Sequence, residues 1–332
     1  MAVVSQGAEQ RPSWVAAVPV LGALVLIAAL LRVLDQAALP GVQNFLLVFG
    51  SLLVEAVPFI LLGAVVSAGI EVFVPTSFFE RIALLPPRLQ LPAAGMAGFA
   101  FPVCECGSVP VARRLASKGL SSGAAATFML AAPILNPVVL ISTWVAYRGR
   151  DALWPMVLGR AGLGLITAIA VGWVIARQSK NEFLRPISGE QHDHDGAHER
   201  SWRAYFGHLA GDFVFMGRYL VLGASVAAAL QTFVPQSVVG SVAGTPVVDL
   251  LAMMLLAFLL SLCSESDAFV AASFVQFGVG AQLAFLVFGP MVDTKLGFLY
   301  TGTFSRGFLR TVVLVVGAVT LAGTLWIEVF FG

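Results

Sequence analysis

The chain is 332 residues long, 58% hydrophobic and only 11% charged, with a formal net charge of +1 and a mean hydropathy of +0.91. Long apolar runs separated by short polar ones exclude a water-soluble globule and define an all-α polytopic membrane protein whose first partner is the lipid bilayer. The near-neutral charge, with no basic stripe interleaved with aromatics, excludes nucleic acid as a partner.

The first apolar run, 14–34, follows a polar leader with a single Arg11 and lacks a small-x-small cleavage site. Residues 1–40 are therefore expected to hold a retained N-terminal helix. A second run begins near Asn44 and contains Glu55, an acid three residues before Pro58. The stretch FPVCECGSVPVARR (101–114) then places Cys104, Glu105, Cys106, Gly107, Ser108 and Pro110 in one segment, and FMLAAPILNP (128–137) sets Asn136 between two prolines. Arg160 lies inside the next apolar run. Residues 177–203 form a polar loop without apolar periodicity that carries His192, His194, His198 and Glu199. After it comes a run holding Arg218, then LCSESDAFVA (262–271) with Cys263, Ser264, Glu265, Ser266 and Asp267. FLVFGPMVDT (285–294) follows with Asp293, then Lys295 and a closing run.

This order repeats. LLGAVVSAGIEVFVP (61–75) aligns with VLGASVAAALQTFVP (221–235), VCECGSVPVA (103–112) with 262–271, FMLAAPILNP with 285–294, and YRG (147–149) with SRG (305–307). The offsets are 160, 159, 157 and 158, so register is kept across four blocks. The reading is a duplicated chain: an N-terminal helix (1–40), repeat 1 (44–176), a polar linker (177–205) and repeat 2 (206–332).

Topology follows from the basic residues. With Arg160, Arg218 and Lys295 set aside as intramembrane, sixteen Lys and Arg remain near span ends. If every apolar segment spans, they divide seven against nine. If the motif segment of each half is re-entrant, they divide thirteen against three, with Arg113, Arg114, Lys118, the 177–203 loop and Arg306 cytoplasmic. Seven spans and two hairpins also invert the second repeat relative to the first, a plan that places a substrate site at the repeat interface.

The motifs carry the chemistry. Irregular backbone at membrane depth needs protein or water to satisfy it. Gly107 and Pro110 are expected to break the first motif segment, since proline removes a donor and glycine permits unusual backbone angles. Ionisable residues in such segments mark substrate or proton pathways. The candidate substrate-binding set is Cys104, Glu105, Cys106, Gly107, Ser108, Pro110, Asn136, Cys263, Ser264, Glu265, Ser266, Asp267 and Asp293, with Asp293 able to pair with Lys295. Cys104, Cys106 and Cys263 are either soft metal ligands or small packing residues. His192, His194 and His198 are either a metal-collecting tract or a solvated linker.

The segment Pro102 to Arg113, followed by Lys118-Gly119-Leu120 and MLAAPILNPVVL (129–140), resembles a bacterial predicted-permease family that includes organoarsenical efflux permeases and proteins assigned as copper/zinc exporters. The resemblance covers the chain from about Asn44 onward. It implies a multi-pass permease of the bacterial inner membrane, in several lineages working with a second membrane subunit, with Cys104 and Cys106 as the motif thiols and Pro110 as its proline. The substrate does not carry over, because exporter branches differ after the first cysteine, where this chain has Glu105, and in the segment Pro133 to Pro137.

The leading function is proton-coupled export of a metal, metalloid or thiophilic small molecule by Glu105, Glu265 and Asp267. The alternative is a membrane subunit that anchors or regulates a partner. No Walker motif is present, so direct ATP hydrolysis is not expected, nor is a cofactor. An enzyme with a cysteine nucleophile is disfavoured, because no histidine lies in an apolar segment near either motif cysteine.

Overall fold

The structure, a computed structural model, describes residues 40–75, 86–100, 103–177, 183, 202–233 and 246–331. The N-terminal run 14–34 and the histidine tract with His192, His194 and His198 lie outside the described residues. The chain divides into two units, Met1–Asn44 and Phe45–Gly332, and everything that follows concerns the second.

Every described element of that unit longer than a turn is helical, as the apolar patterning requires in a medium that offers the backbone no hydrogen bonds. The first half contributes α1 (Pro40–Phe73), α2 (Pro87–Ala100), α3 (Glu105–Ser117), α4 (Ser122–Leu135), α5 (Pro137–Ala146) and α6 (Leu153–Ala176). The second contributes α7 (Trp202–Phe233), α8 (Pro246–Leu260), α9 (Asp267–Ser273), α10 (Val279–Phe288), α11 (Thr294–Thr303) and α12 (Arg306–Phe331). Five stretches are long and apolar enough to cross a bilayer: α1, the α4–α5 pair, α6, α7 and α12. By contrast α2 and α3 each reach only about 20 Å at 1.5 Å per residue, short of a hydrocarbon layer of about 30 Å.

Local chemistry fixes where these helices start and stop. Proline opens α1, α2, α5 and α8, where its missing N–H costs nothing. Pro137 also ends α4, because the residue before a proline is pushed out of the helical region: Asn136 sits at φ −52°, ψ 126°. Its side chain accepts from Val138 N at 3.0 Å and so starts α5. In the second half Asp293 caps α11 in the same way, accepting from Leu296 N at 2.6 Å.

Helices α4 and α10 form the core. Residues 123–135 and 280–288 are all buried. Around them, α4 lies against α2, α3 and α6, and α10 against α8, α9, α12 and α6. The halves meet through α6 on α12 and α10, and through two crossed contacts, α3 on α11 and α5 on α9. Leu314 and Trp326 of α12, like Leu47 and Val54 of α1, remain two-thirds exposed or more, as a lipid-facing surface should. Phe183, from the polar stretch between the halves, is buried against Phe304 and Phe308 at the α11–α12 junction.

The first motif corrects one expectation. Gly107 and Pro110 do not break the segment, since α3 runs from Glu105 to Ser117 through both. The break lies upstream, with Cys104 extended at ψ 177°. Gly107 serves close approach instead: a Cβ on Gly63 of α1 would stand 2.6 Å from Gly107 Cα, backbone against backbone. Gly63→Val is therefore expected to lower stability by roughly 1–3 kcal/mol, read as a drop in the thermal midpoint of the solubilised protein. Gly69→Ala, which meets nothing within 4 Å, should not lower that midpoint, since alanine is the better helix former.

Candidate functional site

Both motifs begin a helix just after a cysteine. Cys104 O accepts from Ser108 N at 3.0 Å, and Cys263 O accepts from Asp267 N at 3.0 Å. The second motif has no proline, and its break is made by Ser261, a non-glycine residue at φ +47°. That conformation survives because the freed backbone groups find protein partners. Phe258 O accepts from Thr294 Oγ1 at 2.9 Å, Leu260 O from Gln231 Nε2 at 2.7 Å, and Thr294 N donates to Ser261 Oγ at 3.1 Å. The two interruptions of the second half are thus tied together.

The two motifs meet tip to tip. Ser264 Oγ donates to Glu105 Oε2 at 2.9 Å, with both side chains buried. These residues occupy aligned positions in the two motif stretches, 159 apart. The same hydroxyl lies 3.4 Å from Glu265 Oε2, and Glu265, unlike Glu105, is only half-buried. Ser266 Oγ reaches Glu55 Oε1 at 3.2 Å, which brings the half-buried Glu55 of α1 to the same place.

Two cations organise the acids. Arg160, fully buried on α6, makes a bidentate pair with Asp267 at 2.8 Å on each side, and also donates to Thr143 Oγ1 at 2.9 Å and Ser264 O at 3.1 Å. Such a planar fork satisfies a carboxylate fully, so Asp267 is a paired acid and not a free one. Lys295, on the first turn of α11, is arranged differently. Its Nζ lies 3.9 Å from Glu105 Oε1, 3.9 Å from Asp293 Oδ2 and 4.0 Å from Cys263 Sγ. Glu105 Oε1, Asp293 Oδ2 and Glu265 Oε1 have no hydrogen-bond partner among the described residues.

The other sequence-selected residues divide clearly. Cys104, Cys106 and Cys263 are free, buried thiols. No group of three or more His, Cys, Asp or Glu among the described residues is arranged to hold a metal ion. Ser108 Oγ donates to Glu105 O within its own helix at 3.0 Å, Gly107 lies under α1, and Pro110 O lies 3.5 Å from Ser67 Oγ. Asn136 Oδ1 is occupied as the cap of α5. Sequence reasoning left Arg160 without an assigned partner, passed over Thr143, and linked Lys295 to Asp293 without seeing Glu105. A cation inside an apolar run was the available signal. Arg218 was flagged on the same ground but stacks on Phe215 and Tyr219.

Removing one partner of a buried pair leaves an uncompensated charge, so Arg160→Met or Asp267→Asn alone is expected to cost roughly 3–5 kcal/mol. The double variant Arg160→Met, Asp267→Leu should recover most of that loss. Thermal midpoints of the solubilised protein check both.

Comparisons with known proteins place the chain in a family. Residues 42–329 match the family model described as a predicted permease, ArsP_1. UPF0718 protein YcgR of Bacillus subtilis (strain 168) is 40% identical over 284 residues, covering 85% of this chain and 96% of that protein. A Streptococcus mutans serotype c protein named as a subunit of a two-component membrane permease complex is 36% identical over 273 residues, covering 81% and 90% respectively. No solved structure matches. With several helices long and apolar enough to cross a membrane around a buried polar site and a family match over nearly all of the described chain, the protein belongs to the ArsP_1 predicted permeases.

Proposed function

We propose that the protein is a proton-coupled secondary transporter of the bacterial inner membrane that exports a metal, metalloid or thiophilic small molecule through the meeting point of its two motifs. The observation that carries this reading is the 2.9 Å hydrogen bond from Ser264 to Glu105. It joins aligned positions of two broken segments, at the place where an inverted-repeat carrier would hold its cargo. The matching order of six described helices in each half supports a duplicated plan.

Glu265, Ser264 and Glu105 form the proton route. A serine hydroxyl has one proton to donate and two lone pairs to accept with, so Ser264 can serve either carboxylate while remaining bonded to the other. Half-buried Glu265 is the outer station and buried Glu105 the inner one. Cys104, Cys106 and Cys263 supply soft ligands once deprotonated, and the acids receive the protons that cargo displaces. Asp267 holds Arg160 and positions Ser264 through the contact of that arginine with Ser264 O. The thiols are not preassembled as a cage, so cargo assembles its ligands as it enters.

A second reading has one specific observation in its favour: the S. mutans relative is named as a complex subunit. On that reading this chain transports only together with a second membrane protein.

Everted vesicles are expected to accumulate one of zinc, copper, arsenite, methylated arsenicals or small thiols when a pH gradient is imposed. Glu105→Gln and Glu265→Gln should each abolish the gradient-driven component. Unchanged flux in Glu105→Gln would sink the proton-coupled site, and absence of flux without a co-expressed partner would favour the subunit reading. Single cysteines introduced in place of the exposed Ser117 and Arg306, in a background with the native thiols replaced, should label from the same side of the membrane. Labelling from opposite sides would remove the re-entrant topology.

A further inference from the structure

We infer that Lys295 is a built-in counter-cation that occupies the empty site and is displaced when a metal cation binds between Glu105 and Asp293. The inference rests on the transport reading above and narrows its cargo to a cation.

Three observations carry it. Lys295 Nζ lies 3.9 Å from both Glu105 Oε1 and Asp293 Oδ2, beyond hydrogen-bond range for either. An ammonium built only to stabilise the fold would close on one acid, whereas this one is held between two. Those same two oxygens are buried, belong to residues 1% exposed, and have no hydrogen-bond partner among the described residues. Two carboxylate oxygens converge on one position and neither is satisfied. Finally, Cys263 Sγ, a soft ligand, faces the same ammonium at 4.0 Å; the three groups are not preassembled as a metal cage, and an entering Zn2+ would draw this mixed oxygen and sulfur set inward as the ammonium leaves.

Net charge gives the direction of selectivity. Glu105 and Asp293 against Lys295 leave one negative charge, and Asp267 is already neutralised by Arg160. Removing the ammonium would leave two. A tethered cation competes at high effective concentration, and cargo affinity falls by the fraction of time Lys295 holds the acids. The carrier thereby halves the negative charge of its site when it returns empty. The feature is confined to one half: Val138 stands at the position aligned with Lys295, and Asn136 stands where Asp293 does. The Asn136 cap also shows that an asparagine at 293 can keep α11 started.

Equilibrium binding of Zn2+ alone to the purified full-length protein tests the inference. Lys295→Met is expected to bind Zn2+ about tenfold more tightly than the unmodified protein, and adding Glu105→Gln should erase that gain. Asp293→Asn should weaken binding by a similar factor, because Lys295 then concentrates on Glu105 and one ligand is gone. Equal or weaker binding in Lys295→Met overturns the inference. If that variant does not fold, unchanged or tighter binding in Asp293→Asn overturns it instead. The broader transport reading fails separately, through unchanged pH-driven flux in Glu105→Gln. Loss of that flux together with unaltered Zn2+ affinity in Lys295→Met would leave transport standing and remove only the counter-cation.

Discussion

An interrupted helix in hydrocarbon has to find its missing hydrogen bonds in protein, and this structure is arranged around meeting that requirement. Four interruptions, near Cys104, Asn136, Ser261–Ser266 and Asp293, fall within buried parts of the described chain. Those at Asn136, Ser261 and Asp293 are closed by a neighbour or a cap, and the two motif breaks are joined to each other through their side chains. Asn136 and Asp293 cap the helices that follow them, Gln231 and Thr294 take the carbonyls released by Ser261, and Ser264 bridges to Glu105. The cost of an unsatisfied amide in an apolar medium, several kcal/mol each, explains why these partners are shared between breaks.

The polar site follows from that constraint. Once backbone breaks are brought together, their side chains share a buried site shielded from lipid, and ionisable groups can persist there if they are paired. Arg160 and Asp267 form a closed pair with good fork geometry. Glu105, Asp293 and Lys295 form an open set, with distances too long for any short bond. The first set holds the motif in place, and the second has spare bonding capacity for a ligand. This division assigns different roles to acids that look equivalent along the chain.

Much of the fold was legible in the sequence. The apolar runs and their polar separators gave the helical class and the order of the long helices, because each reflects local chemistry. The break in the first motif was misplaced for a physical reason. Pro110 removes only one hydrogen bond, to the carbonyl of Cys106, and breaking α3 there would release more backbone groups than it satisfies. Gly107 packs its helical backbone directly under Gly63, a tertiary contact that no propensity could register. The polar character of the 177–203 loop likewise hid the anchoring of Phe183.

What the sequence by itself determined is the membrane class, the helical elements and the residue types available at each interruption, since these depend on neighbours a few positions away. What only the tertiary structure decided is the pairing: Asp267 with Arg160 across 107 positions, Ser264 with Glu105 across 159, and Lys295 suspended between Glu105 and Asp293. A charge buried among helices takes whichever partner their packing brings within reach. That partner, more than the residue's own type, separates a structural acid from a binding one.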